Sequence, residues 1–135
     1  MPKVRRLELK HREAVERVID FLDLQPHRDS LIVNLPYGVR KVVELARALS
    51  TEPKLLLLDE PSSGLNVEET DDMAFWIQDI KELLGITVLM VEHDMRLVSA
   101  VSDRVLALDY GRPIAVGTAG EVQADPEVIR AYLGG

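Results

Sequence analysis

The sequence predicts an α/β fold, built on a parallel sheet with flanking helices. Two uninterrupted apolar runs, residues 55–58 and 88–91, support this prediction, because continuous rather than alternating apolar residues are typical of strands buried on both faces. Segments with the apolar spacing of helices lie before, between and after the two runs. Ligands of such sheets bind beyond the carboxyl ends of the strands, so the polar residues that follow each run are the first candidates for a site.

The composition limits the class of protein. The 135 residues, 47% of them apolar, suffice for one domain with its own core. A net charge of −7 argues against a nucleic-acid surface. The absence of cysteine excludes disulfides and thiolate metal sites, and the three histidines are too scattered to suggest a zinc site. No segment approaches the about 20 apolar residues of a membrane span, so we expect a globular chain that is neither exported nor membrane-embedded.

Two helices and a strand are predicted in the first part of the chain. Apolar spacing predicts a helix over residues 13–24, and a second one begins near Pro36, which is tolerated at a first helical position. Asn66 can cap a third helix together with Glu69, three residues further on. The core faces predicted for these three helices are Val15, Val18, Ile19 and Leu22; Val39, Val42, Val43, Ala46 and Leu49; and Met73, Trp76, Ile77, Ile80 and Leu84.

Shorter elements are predicted after the third helix. Gly85 is typical of the left-handed residue that ends a helix, and it precedes the second apolar strand. The remaining predicted elements are a helix over 95–101 capped by Asp94, a strand over 104–108 with a hairpin partner over 113–116, and short helices over 119–123 and 126–133.

Four short motifs follow one another along this framework. They are Leu35-Pro36-Tyr37-Gly38, the run LLLLDEP at 55–61, SGLN at 63–66, and Glu92-His93-Asp94. In this order and spacing they resemble the signature, Walker B, D-loop and switch histidine of an ATP-binding-cassette (ABC) transporter ATPase. The tail over residues 114–134 is similar to the ATPases of branched-chain amino-acid importers.

The resemblance implies a P-loop NTPase-like fold, but it covers only the second half of a cassette. The sequence contains no GxxxxGK[ST] motif, so it lacks the loop that wraps the β- and γ-phosphates. We therefore expect a cassette that is truncated before the signature helix, with the P-loop strand absent. The expected division is a helical subdomain with the signature over about 1–52, a catalytic core over 53–117, and C-terminal helices over 118–135.

The resemblance assigns chemistry to the ends of the two strands. Asp59 would hold Mg²⁺ through water, Glu60 would polarise the attacking water, and His93 would contact the γ-phosphate, since phosphoryl transfer depends on positioning and charge compensation. Taken alone, Asp59 could instead satisfy backbone donors at a strand end, and His93 could be an ordinary loop histidine. Asp94 is more plausible as a helix cap than as a catalytic group.

The resemblance also assigns contacts across a dimer. In the signature, Leu35, Tyr37 and Gly38 would meet the ATP that the opposite subunit holds. The family pattern LSGGQ is replaced here, and Pro36 supplies neither a hydroxyl nor an N–H group, so a plain proline-started helix is the alternative. Two D-loop residues, Ser63 and Asn66, would cross the dimer interface, although both also suit a turn and a helix cap.

The implied function is that of the ATP-hydrolysing subunit, as a C-terminal fragment, of an ABC importer for branched-chain amino acids. ATP and Mg²⁺ would be the cofactors, and a second ATPase subunit and membrane permease subunits the partners, with no nucleic acid. The chain would be cytoplasmic and peripheral at the inner face of the membrane, and inactive alone because the P-loop is missing. The alternatives are a non-catalytic regulatory remnant of such an ATPase and, less in keeping with the acidic sequence, one half of a chromosome-maintenance ATPase head.

A consequence for the sheet follows from the family topology. There the P-loop strand lies between the switch-histidine strand and the next one, here residues 86–91 and 104–108. Without it, two strand edges have unpaired N–H and C=O groups, which favours association. We expect the first two strands to pair with each other, with a gap or an irregular contact between the second and the third.

Overall fold

The computed structural model describes residues 2–133, and the side chains of residues 4–132. The chain divides into two compact units, with the boundary between Val91 and Glu92. The first unit contains α1 (Pro2–Phe21), α2 (Tyr37–Leu49), β1 (Leu55–Asp59), α3 (Val67–Glu82) and β2 (Thr87–Val91), with short 3₁₀ turns at Gln25–His27 and Ile32–Asn34. The second contains α4 (Met95–Val101), β3 (Val105–Asp109), β4 (Arg112–Gly117), α5 (Ala119–Ala124), α6 (Pro126–Val128) and a π-helical turn at Ile129–Leu133.

Helix α1 differs most from its prediction, because it begins at Pro2 and ends at Phe21. Its first half consists largely of arginine, lysine, leucine and glutamate, which favour helix without any packed face, and core periodicity does not detect such a segment. Asp23 adopts a left-handed conformation with φ 53°, so the helix ends before residue 24. Ala14 is buried, whereas Val15, predicted to face the core, is exposed.

Helices α2 and α3 supply most of the core of the first unit. Pro36 lies just before α2 as its cap residue rather than within the helix. Leu84, predicted on the core face of α3, is exposed because the helix ends at Glu82 and the chain turns at Gly85 with φ 63°. The rings of Phe21 and Trp76, 6.4 Å apart, connect α1 with α3. The buried side chains of the two helices are Leu45, Ala46 and Leu49 in α2 and Thr70, Met73, Ile77 and Ile80 in α3.

Strands β1 and β2 pair in parallel, with Leu55 opposite Thr87 and Asp59 opposite Val91. This confirms the predicted pairing. Leu56 is 3% exposed, whereas Leu57 and Leu89 are 65% and 61% exposed. The expectation that both faces are buried is therefore wrong for this unit: side chains alternate across the strand, and only one face meets helices.

The second unit is built around an antiparallel hairpin of β3 and β4. Tyr110 and Gly111 form its two-residue turn, both with positive φ, at 45° and 78°, as the primed turns of tight hairpins require. One core cluster consists of Ala107, Val122 and Val128, with Val105, Ile114 and Ala115 against them, and Leu97, Val98 and Val101 of α4 are buried as well.

The two strand pairs belong to separate sheets. Within residues 2–133, the sheets are β1–β2 in the first unit and β3–β4 in the second. Over the same residues, no helix is long and apolar enough to cross a bilayer.

Candidate functional site

Two carboxylates lie at the carboxyl end of β1. Asp59 is the last residue of the strand and Glu60 is the first after it, and both are exposed. The Glu60 N–H group donates to the Val91 carbonyl oxygen at 2.8 Å, which extends the pairing of β1 with β2 by one bond. Glu60 has φ 45°, a conformation that side chains with a Cβ rarely adopt. The chain therefore leaves the sheet sharply at the position predicted to carry the catalytic carboxylate.

A groove of ≈ 210 Å³ adjoins Asp59. Lys41 and Glu44 of α2 contribute charged side chains to it, and the remaining lining is mostly apolar. The carboxylate of Asp59 is therefore open to solvent and to small ligands on the side that faces α2. The other lining residues are Leu45, Ala48, Leu57, Leu58, Pro61 and Met73.

The D-loop, residues 63–66, is held by its own backbone and by a helix cap. The Ser63 N–H group donates to the Glu60 carbonyl oxygen at 3.1 Å, and Leu65 N–H donates to Ser62 at 3.0 Å. The Asn66 side chain accepts from the Glu69 N–H group at 3.0 Å, and the Glu69 carboxylate accepts from the Asn66 N–H group at 2.9 Å. This confirms the predicted capping box.

The signature turn, residues 35–38, contacts the D-loop. The Tyr37 hydroxyl donates to the Ser63 carbonyl oxygen at 3.1 Å. Tyr37 is half-exposed, and Gly38 follows it as the second residue of α2. Leu35 is buried, and its N–H group donates to the Ile32 carbonyl oxygen at 3.2 Å, so it presents little surface for the ligand contact predicted for it.

Two cationic side chains lie near the start of α2. The Arg40 guanidinium and the Lys41 ammonium lie 5.5 Å and 5.8 Å from the centre of the Tyr37 ring, within the range of cation–π attraction. Together with the helix N-terminus, they favour an anion at the signature turn, whereas the Glu69 carboxylate beside Gly38 opposes it. The acidic sequence as a whole does not reveal this charge.

His93 belongs to the second unit, two residues after β2. Its side chain is 69% exposed, and its Nδ1 atom lies 4.0 Å from Oε2 of Glu92. The Glu92 side chain is completely buried, and its Oε2 accepts from the N–H groups of His93 and Asp94 at 2.9 Å and 3.2 Å. Asp94 accepts from the N–H groups of Arg96 and Leu97 and caps α4, as predicted.

Glu92 is a site residue that the sequence interpretation treated only as part of the motif. Its buried carboxylate shapes the turn that presents His93, so it acts as a backbone anchor. A glutamate directly after an apolar strand is the signal that could have indicated this role, because a buried carboxylate requires donors nearby. The structure therefore groups Asp59, Glu60, Tyr37, Gly38, Ser63 and Asn66 in the first unit, and places His93 in the second.

The residues present fit part of a Mg²⁺-nucleotide site. Exposed carboxylate oxygens of Asp59 and Glu60 are ligands that Mg²⁺ prefers, and this ion commonly uses one or two carboxylates together with phosphates and water. Among residues 2–133, no cluster of three histidine, cysteine or acidic side chains could hold a metal alone. These residues would therefore supply at most part of the shell of the ion, and water or phosphate oxygens would complete it.

Comparison with known proteins identifies the family. A family model for the ABC transporter matches residues 2–63. A second, for the branched-chain amino acid ATP-binding cassette transporter, matches residues 112–135. The chain belongs to the ABC transporter ATPase family.

Among its relatives are two importer proteins. The high-affinity branched-chain amino acid transport ATP-binding protein LivG of Salmonella typhimurium is 41% identical over 90% of this chain. The protein of the same description named BraF, from Pseudomonas aeruginosa, is 38% identical over 98% of it. The chain spans 49% of the length of the first relative and 52% of the second.

Solved structures confirm the fold class. The ADP conformation of MJ1267, an ATP-binding cassette of an ABC transporter, matches with a TM-score of 0.86 and 31% identity, over 93% of this chain and 51% of that one. The cbiO1 protein of Clostridium perfringens, part of the ABC transporter complex cbiONQ, matches with a TM-score of 0.78 and 33% identity, over 88% and 47%. The fold is that of the P-loop NTPase class, represented here by a small parallel sheet with flanking helices.

Proposed function

We propose that the chain supplies the signature, Walker B, D-loop and switch-histidine part of the ATP-hydrolysing subunit of an importer for branched-chain amino acids. The observation that carries this proposal is the in-register parallel pair of β1 and β2, which brings Asp59 to the sheet edge and continues into Glu60 through its bond to Val91. The match of residues 112–135 to the branched-chain family model supports the substrate class.

In this function each residue of the site has a separate task. Asp59 would hold Mg²⁺ through water, and the bound ion would neutralise charge on the phosphates. Glu60 orients and polarises the attacking water, and His93 contacts the γ-phosphate. The two acidic neighbours repel each other in the absence of a cation, which favours cation binding beside them.

Contacts to a second ATPase subunit complete the proposed site. The signature residues Leu35, Tyr37 and Gly38 face the ATP of the opposite subunit, and the positive helix start with Arg40 supports that anion. Ser63 lies at the dimer interface. Asn66, on the same loop, lies there as well. Membrane permease subunits hold the assembly at the cytoplasmic face of the membrane.

A hybrid protein tests this assignment. The first half of LivG, fused before the signature turn of this chain, supplies a P-loop in one polypeptide. We expect Glu60→Gln to lower ATP turnover at least about hundredfold and His93→Ala to lower it severely, because both act on the reacting water. Nucleotide binding should persist in Glu60→Gln. The matched control is Glu127→Gln, an exposed carboxylate in the second unit, and turnover of Glu60→Gln equal to this control refutes the assignment.

One observation favours a second candidate, a non-catalytic regulatory module. The sequence has no GxxxxGK[ST] motif, so most of the usual phosphate contacts have no counterpart in these residues. The hybrid distinguishes the two candidates, because a decayed remnant stays inactive when the P-loop is supplied.

A further inference from the structure

The signature turn and the D-loop of this one chain are joined by a side-chain hydrogen bond. The Tyr37 hydroxyl donates to the Ser63 carbonyl oxygen across 26 positions of sequence. Ser63 itself donates backward to the Glu60 carbonyl oxygen. A short chain of hydrogen bonds thus runs from the start of α2 through the D-loop to the residue proposed to polarise water.

Close packing reinforces this bond at the next residue. A Cβ atom added to Gly64 would lie 2.9 Å from Cε1 and 3.1 Å from Oη of Tyr37. Gly64 also has φ 79°, a conformation that disfavours side chains. The ring therefore rests directly on the D-loop backbone, and glycine is required there for two separate reasons.

The other end of the D-loop makes a second contact with α2. A Cβ atom added to Gly38 would lie 2.5 Å from Oε1 of Glu69. The same carboxylate accepts from the Asn66 N–H group through its Oε2 atom at 2.9 Å. The Glu69 carboxylate thus packs against the second residue of α2 and hydrogen-bonds the cap residue of α3.

We propose that Tyr37 and Glu69 are positioning residues that fasten the signature turn to the D-loop of the same chain. The two contacts hold opposite ends of the loop, one at Ser63 and the other at Asn66, so the loop cannot shift against α2 without breaking one of them. A ligand that displaces the signature turn thereby loosens the D-loop, and reciprocally. This inference rests on the proposed function only for the names of the two loops. The contacts of Tyr37 and Glu69 are themselves a property of the first unit.

Amide hydrogen exchange of the whole 135-residue chain, followed by NMR without nucleotide, tests the first contact. The reporters are the N–H groups of Ser63 and Leu65, which donate to the Glu60 and Ser62 carbonyl oxygens. These two hydrogen bonds must break before the amides can exchange. We expect Tyr37→Phe, which keeps the ring and removes the hydroxyl, to accelerate their exchange about two- to tenfold. The control is Tyr110→Phe, at a fully exposed tyrosine in the hairpin turn.

Amides of the β1–β2 ladder serve as the internal reference. They exchange through opening of the sheet, so the fastening predicts no change in them. Equal acceleration of ladder and D-loop amides in Tyr37→Phe would mean general destabilisation and would overturn the proposal. D-loop exchange equal to that of the Tyr110→Phe control would overturn it as well.

Gly38→Ala tests the second contact. Its expected effect on the Asn66 amide is destabilising, whereas its effect on helix propensity is stabilising. Alanine favours helix more than glycine does, so α2 itself gains stability. The added methyl group nevertheless displaces the Glu69 carboxylate from the Asn66 N–H group, and we expect exchange of that amide to rise about two- to tenfold. Glu69→Ala should raise it similarly, and the double variant should raise it no further.

Wild-type exchange of the Asn66 amide in Gly38→Ala would remove Glu69 from the proposal. None of these measurements involves nucleotide or turnover. Failure of the ATPase assignment in the hybrid protein therefore leaves this inference standing, and failure of the fastening leaves the ATPase assignment standing.

Discussion

The uncovered face of the β1–β2 sheet leads to a prediction about self-association. Leu57 and Leu89 are 65% and 61% exposed and lie opposite each other on neighbouring strands. Full burial of a leucine side chain contributes about 1.5–3 kcal/mol, so covering the exposed parts of these two contributes about 2–4 kcal/mol. Each of two associating chains contributes this amount, so the gain of a pair is comparable with the lower range of the about 4–15 kcal/mol that association costs.

The perturbation is the double variant Leu57→Thr with Leu89→Thr, which introduces β-branched residues that suit strands and removes much of the apolar surface. We expect self-association to weaken at least about tenfold, since 1.4 kcal/mol corresponds to that factor. Stability should change by less than about 1 kcal/mol, because neither side chain belongs to the core. Sedimentation velocity over a concentration series measures the first quantity, and urea unfolding measures the second.

A leucine on the opposite face of β1 provides the control for the stability measurement. Leu56 is 3% exposed, and Leu56→Ala should lower the free energy of unfolding by about 2–5 kcal/mol. An association constant of the double variant equal to that of the wild type would refute the reasoning, because the uncovered face would then not be the surface that associates.

Three further predictions follow from the sequence and the two units. The chain alone should lack tight MgATP binding, and calorimetry showing a micromolar dissociation constant, about −8 kcal/mol, would contradict this. Ile80→Ala should destabilise the first unit by about 2–5 kcal/mol in urea unfolding, since Ile80 is 0% exposed. The Thr118 N–H group, with its hydroxyl, lowers the pKa of Glu121 from its ordinary value of 4.5, so the stabilisation of α5 is complete above pH 4.5 and is lost as pH falls through the lower folded-state pKa. An NMR pH titration of α5 measures this loss, and Glu121→Gln should abolish the pH dependence.

Local signals in the sequence predicted much of the fold. The apolar runs indicated β1 and β2, and the caps at Asn66 and Asp94 followed from the chemistry of one side chain and its near neighbours. These features depend on interactions within a few residues. The same locality explains why α1 was predicted too short, because its first half forms helix without a buried face to detect.

Features that depend on distant residues were not predictable in this way. The contact of Tyr37 with Ser63 joins positions 26 residues apart, and nothing in the spacing of either motif indicates it. Burial of Leu35 likewise depends on packing that a turn motif does not specify. The predicted chemical roles of Asp59 and Glu60 remain predictions, since a fold can position carboxylates without revealing what they bind.

The backbone of Glu60 has a consequence for anyone who engineers this chain. A left-handed conformation with φ 45° disfavours a residue with a Cβ by about 1–2 kcal/mol relative to glycine. A selection for heat resistance would therefore tend to replace Glu60 by glycine or asparagine, and the more robust protein would lack its main candidate for a catalytic carboxylate. Melting temperature is thus a misleading criterion at this position, because a gain in thermal stability would accompany loss of the candidate catalytic carboxylate.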